Sequence, residues 1–201
     1  LFERMKPVVS RRLSEDFLKL PENYIKKIYC ELPEKQANIY EGVLNLELVR
    51  MKEVDGYLDA QKVRNKFPYF HLALDNPTIL DNIEEANSLL PALSKSIQSF
   101  KMEKDHGKVL MLKELLEKHI GEDDEKVVVW SGHPKTIEQL MVIFQKYNPK
   151  CVHGQMEIES GKAVNEYRDN IIEDWKKDKN SKLLILSYIT SSTSINLTQA
   201  K

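Results

Sequence analysis

Leu183-Leu184-Ile185-Leu186-Ser187-Tyr188-Ile189-Thr190-Ser191-Ser192-Thr193-Ser194-Ile195-Asn196-Leu197-Thr198-Gln199-Ala200 runs from an apolar segment into five consecutive hydroxyl residues. From Lys182 to Ser187 apolar and polar positions do not alternate, which is the pattern of a strand buried on both faces. Further back, Lys126-Val127-Val128-Val129-Trp130-Ser131 has the same character. A shorter strand is predicted between the two, at Lys150 to His153. Helices separate the three strands. Pro134 sits at a helix start, and Thr136 to Tyr147 places Ile137, Leu140, Met141, Ile143 and Phe144 on one face. Glu157 to Lys177 is predicted to be mostly helix. Strand, helix, strand, helix, strand with buried strands predicts an α/β domain, a parallel sheet covered by helices on both faces.

The upstream half reads as mainly α. Tyr24 to Leu32 is rich in β-branched and aromatic residues and predicts a short strand closed by Pro33. In Pro33 to Arg50 the residues Ala37, Ile39, Tyr40, Val43, Leu44, Leu46 and Leu48 recur at helical spacing. Asp59 to Leu74 predicts another helix, interrupted at Pro68, and Asn76-Pro77 is a turn signal. Ile83 to Phe100 is again helical, with Pro91 dividing or starting a segment. A helix from Lys108 to His119 leads through the acidic turn Gly121 to Glu125 into the valine run. The first stretch carries Arg4, Lys6, Arg11, Arg12 and Lys19 before Pro21 and reads as a basic linker. The expected division is a linker over residues 1–23, a first strand with helical segments over 24–106, and the α/β unit over 107–201.

The 201 residues are 41% hydrophobic, enough for a core. With 30 basic and 31 acidic residues the net charge is -1, so any basic surface must be local. Cys30 and Cys151 are far apart and lack the spacing of a metal knuckle, which argues against a disulfide framework or a zinc site. No apolar run spans a membrane and no signal-peptide pattern opens the chain. A cytoplasmic setting is expected, in a bacterium or phage, or a nuclear one in a eukaryote. Leu1 and Lys201 read as the ends of an excerpt.

Three strand ends carry polar groups: Ser131-Gly132-His133, His153-Gly154-Gln155 and Ser187 to Asn196. All should lie on one edge of the sheet, where open α/β sheets bind ligands. Small hydroxyl residues and glycines there let backbone N–H groups approach phosphate, and the following helix N-termini favour anions. The bland alternative is that these are ordinary turn and capping residues. His71, His106, His119 and His133 show no mutual metal spacing and read as surface or capping residues. Trp130 and Trp175 read as core residues rather than base-stacking platforms.

The segment Leu183 to Ala200 resembles helicase motif V of the SWI/SNF-type ATPases of helicase superfamily two, with Ile195, Asn196, Leu197, Thr198 and Ala200 matching its Gly-Leu-Asn-Leu-Thr-x-Ala pattern. Other stretches follow in family order. Lys126 to Ser131 resembles motif IV, and Val152 to Gln155, with Arg168 and Ile171 to Trp175, resembles the glycine-plus-arginine stretch. Arg11-Arg12, Leu20-Pro21, Leu32, Gln36 and Tyr40 resemble the double-arginine linker, the LP pair and the "Q...Y" helix. Gly107-Lys108 resembles the Gly-Lys that opens the helix before motif IV. Two departures stand out: Ser191, Ser192 and Ser194 replace motif V glycines, and Asn76-Pro77 stands where the family has His-Pro.

The resemblance implies a RecA-like second helicase lobe with an inserted, mainly helical protrusion, incomplete before motif VI. It implies double-stranded DNA and the first RecA-like lobe of the same protein as partners. ATP and Mg2+ would be held mainly by that first lobe, since the chain has no G-x-x-x-x-G-K-[ST] phosphate loop. It further implies nucleic-acid contact by Ser131, His153, Gly154, Gln155, Ser191, Ser192 and Thr193, and coupling of that loop to the ATP cleft by Asn196. As plain chemistry Asn196 is equally a turn residue bonding its own backbone. Arg168 reads as a DNA contact or an ion-pair partner, and Arg11 and Arg12 as residues reaching across the hinge or as solvated linker charges. The competing class is a RecA-like scaffold that has lost catalysis.

Overall fold

Leu183–Ser187 is the middle strand of a three-stranded parallel sheet, in a computed structural model that describes residues 24–53, 60–82, 91–155 and 164–189 with Ile195, Leu197 and Ala200. The strands are β1 (Val127–Ser131), β2 (Lys150–Val152) and β3 (Leu183–Ser187), in the order β1-β3-β2. Val127 lies opposite Leu183 and Ser131 opposite Ser187, while Val152 lies opposite Leu186. All five residues of β3 are buried. Because successive side chains point to opposite faces, Leu183 and Ile185 join one core and Leu184 and Leu186 the other.

The helices are α1 (Glu34–Glu53), α2 (Ala60–Asp75), α3 (Pro91–Gln98), α4 (Met102–Asp105), α5 (Gly107–Leu116), α6 (Pro134–Ile143) and α7 (Val164–Lys177). Ile137, Leu140 and Phe144 pack in the core of Leu183 and Ile185, and Ile172 and Trp175 of α7 in that of Leu184 and Leu186. The larger core does not stop at the sheet. Ile39, Val43, Leu72, Ala73, Leu80 and Ile97 belong to it together with Val109 and Leu116 of α5. The upstream helices and the sheet thus share one interior.

Gln36 fixes that junction. It is 0% exposed, its Nε2 donates to the carbonyls of Ala73 and Leu74 at 3.2 and 3.3 Å, and its Oε1 accepts the N–H of Gly107 at 3.0 Å. One amide therefore joins α1, the end of α2 and the start of α5. A Cβ on Gly107 would lie 2.2 Å from the carbonyl oxygen of Glu31, so only glycine permits this approach. Just before it, buried His106 caps α5: Nδ1 accepts the Val109 N–H at 3.3 Å, which leaves Nε2 to donate to the Asp75 carbonyl at 2.7 Å.

Several sequence expectations need correction. Tyr24 to Leu32 forms no strand; Tyr24, Lys26 and Ile28 line a cavity of about 500 Å³ together with Val127, Val128 and Val129. β-propensity without a partner strand makes no sheet. Helix α2 runs unbroken through Pro68, whose ring stands at an exposed position. The helix expected from Lys108 to His119 ends at Leu116 and passes into a π-helical turn, Glu117–Glu122. Trp130 is 44% exposed, whereas Trp175 is 0% exposed. β1 ends the sheet opposite β3, so its valine run is only half covered. Within Ile83 to Phe100 the described helix starts at Pro91, and within Glu157 to Lys177 at Val164.

Candidate functional site

The parallel order of the strands brings the ends of β1, β2 and β3 to one edge of the sheet. Ser131 closes β1 half-buried, and its carbonyl accepts the N–H of Tyr188 at 3.2 Å, which ties the first edge loop to the third. Gly132 is buried beneath the Tyr188 ring; a Cβ there would lie 2.5 Å from the phenolic oxygen. His133 caps the N-terminus of α6 without a side-chain hydrogen bond, ahead of Pro134 in the first turn. The helix therefore starts at the same edge, with no side-chain cap from His133.

His153 follows β2 on the far side of β3. Two strand spacings put it about 9–10 Å from Ser131 along the edge. Its ring is buried, accepts the N–H of Gln155 at Nδ1 (3.4 Å) and lies 3.9 Å from Glu138 Oε1. The imidazole thus shapes the turn, and it is Gly154 and Gln155 that stand exposed. Ser191, Ser192, Thr193 and Asn196, together with Arg11 and Arg12, lie outside the described residues. Arg168 is paired with its neighbour Asp169 at 3.2 Å.

Residues that the strand-end reading passed over converge on the same edge. Asp75, at the end of α2, lies 3.3 Å from Lys108 Nζ and 4.0 Å from His133 Nε2. With Cys30, His71, Gly132 and Tyr188 these residues line a cavity of about 580 Å³. Gly107-Lys108 was the one signal that could have pointed here, since it opens a helix. His106, which directly precedes Gly107, has its pKa lowered by burial, against the opposing bond to Asp75. Before β1, on the opposite side of the sheet, His119, Asp123 and Glu125 hold ligand atoms within 4.8 Å of one another. His119 Nδ1 and Glu125 Oε2 pair there at 2.9 Å.

No family model and no curated protein matches the chain. Solved structures do. The C-terminal part of the Fun30 ATPase domain matches with TM-score 0.56 and 20% identity, over 90% of this chain and 74% of that one. The fold is that of SWI2/SNF2 ATPase C-terminal domains. The Sulfolobus solfataricus SWI2/SNF2 ATPase C-terminal domain matches with TM-score 0.62 and 19% identity, over 86% and 67%. The SWI2/SNF2 ATPase core of the same organism, in complex with dsDNA, matches with TM-score 0.60 and 20% identity, over 86% of this chain and 32% of that one. The chain shares with these C-terminal domains a RecA-like α/β fold, a parallel sheet with helices added ahead of it. No helix among the described residues is long and apolar enough to cross a membrane.

Proposed function

We propose that the chain is the C-terminal lobe of an ATP-dependent DNA translocase of the SWI/SNF type, and that the carboxyl edge of its sheet meets the nucleic-acid backbone. The observation that carries this reading is the convergence of half-buried Ser131 with exposed Gly154 and Gln155 on one edge, beside the N-terminus of α6, where small residues suit the approach of phosphate oxygens. His153 positions the Gly154-Gln155 turn from within. Ser191, Ser192 and Thr193 extend the contact, and Asn196 couples it to the ATP cleft. Double-stranded DNA is the partner of the Sulfolobus core with which the fold is shared.

Neither a phosphate loop nor an acidic metal-binding motif of the helicase type occurs in the sequence. ATP and Mg2+ therefore belong mainly to a first lobe, with Arg11 and Arg12 in the linker that joins the two. The test has two readouts. Duplex binding by the 201-residue chain should weaken linearly in log-log form as salt rises, and DNA-stimulated ATP hydrolysis by the same chain should be negligible. A flat salt response, or turnover by the chain alone, overturns the reading.

A second reading is favoured by one observation, the serines at 191, 192 and 194 in place of motif V glycines. Under it the chain is a RecA-like scaffold that binds DNA or protein without catalysis. An upstream phosphate-loop lysine and downstream arginines in the parent gene support the motor; their absence supports the scaffold.

A further inference from the structure

The cavity of about 580 Å³ beside the sheet edge is walled by separate parts of the chain. The segment before α1 gives Cys30, α2 gives His71 and Asp75, α5 gives Lys108, the β1 loop gives His133, and the β3 loop gives Tyr188. Its chemistry is mostly that of donors. Lys108 is a cation with 56% of its side chain exposed. An imidazole carries an N–H in either tautomer, and Tyr188 is a phenol held over Gly132. Two helices of at least ten residues, α5 and α6, begin at the walls with Lys108 and His133, which adds two positive dipole ends. Asp75 is the counter-charge, 3.3 Å from Lys108 and 4.0 Å from His133. An exposed pair of that kind is weak, so Lys108 can exchange Asp75 for a stronger anion at little cost.

We propose that this cavity is a phosphate-recognition pocket in which Lys108, His71 and Tyr188 grip one phosphodiester of the bound strand, so that the helical insert takes part in holding nucleic acid. The proposal rests on the reading of the sheet edge as a backbone-contacting surface and names a contact outside its loops. Lys108 supplies the charge, Tyr188 and His71 supply further N–H and O–H donors, and Asp75 keeps Lys108 aimed at the cavity when it is empty.

The experiment measures duplex binding across salt for the unmodified chain, Lys108→Met, Tyr188→Phe and the control Lys118→Met, which removes the same charge at an exposed helix-end position. Lys108→Met should weaken binding about five- to tenfold and reduce the salt slope by about 1. Tyr188→Phe should weaken it about threefold, and Lys118→Met less than twofold. Alkylation of Cys30 gives a second readout in the unmodified chain, with Cys151 as internal reference: duplex should slow Cys30 several-fold and leave Cys151 unchanged. If Lys108→Met fails to fold, Tyr188→Phe and the Cys30 protection decide. Duplex binding that persists unchanged in both variants, with Cys30 unprotected, overturns the pocket and leaves the edge reading intact. Absence of any salt-dependent duplex binding removes both. Protection of Cys30 by inorganic phosphate or ADP equal to that by duplex overturns the assignment to a backbone phosphate.

Discussion

Asn76 donates its side-chain amide to Thr136 Oγ1 at 3.0 Å, and through the same NH2 to Gln139 Oε1 at 2.7 Å. Its own oxygen accepts from the N–H and hydroxyl of Thr78 at 3.1 and 2.7 Å. Asn76 is 0% exposed, so all of this replaces water. The residue that departs from the family's His-Pro thereby fastens the end of α2 to α6. Asn76→Ala leaves Thr78 and Gln139 without these partners and should destabilise the chain by about 2–3 kcal/mol, read as a lower urea midpoint. A loss below about 0.5 kcal/mol would show that water replaces the network.

Gly107→Ala should cost about 1–3 kcal/mol or more, because its Cβ meets a backbone carbonyl 2.2 Å away. Gly42→Ala is the comparison: its Cβ would meet the side chain of Leu93 at 2.4 Å, and a leucine side chain can move. Thermal melts of the two variants should rank Gly107→Ala clearly below Gly42→Ala.

Burial holds the pKa of His106 below its ordinary value of 6.5. The unfolded chain then takes up the proton first, so the folded state loses stability as pH falls below about 6.5 and stops losing it below the folded pKa. His106→Gln should be less stable at pH 8 and less sensitive to pH between 8 and 5. The difference between the two denaturation series isolates this residue from the other histidines; parallel curves would contradict the assignment.

Lys126 lies 4.8 Å from the Trp175 ring centre and donates to the carbonyls of Trp175, Lys176 and Asp178, the last at 2.8 Å. It closes the C-terminus of α7 while burial lowers its own pKa. Lys126→Met keeps the length and loses these bonds. Amide exchange at the last turn of α7 should quicken about tenfold, with a global loss of about 1–2 kcal/mol.

Trp130 and Trp175 should separate in fluorescence, since one is 44% and the other 0% exposed. Acrylamide should quench the red-shifted component, and Trp130→Phe should abolish that component. Retention of the quenchable emission in Trp130→Phe would contradict the exposed placement.

Both-face burial writes itself into composition, which is why β3 was legible as an apolar run; β1, though only half covered, has the same composition, and the chain order gave a parallel sheet. Amphipathic α6 was legible for the same reason. Tyr24 to Leu32 was misleading because strand propensity is local and pairing is not. Trp130 was misread because a valine run does not reveal which strand ends a sheet. At the site, Ser131 and Gly154-Gln155 could be found from strand ends alone. The meeting of Asp75, Lys108 and His133 could not, since it joins positions more than twenty residues apart through a helix end, a helix start and a loop. His153 was legible as an edge residue, but the inward turn of its ring depends on Glu138 and Gln155.

The order β1-β3-β2 has a consequence for biosynthesis. The first two strands to leave the ribosome are not neighbours in the finished sheet, and each must wait with its inner hydrogen-bonding edge unsatisfied until Leu183–Ser187 slides between them. Until that moment the nascent chain exposes two sticky edges, and β3, the third of the described strands, acts as a keystone whose arrival joins the two.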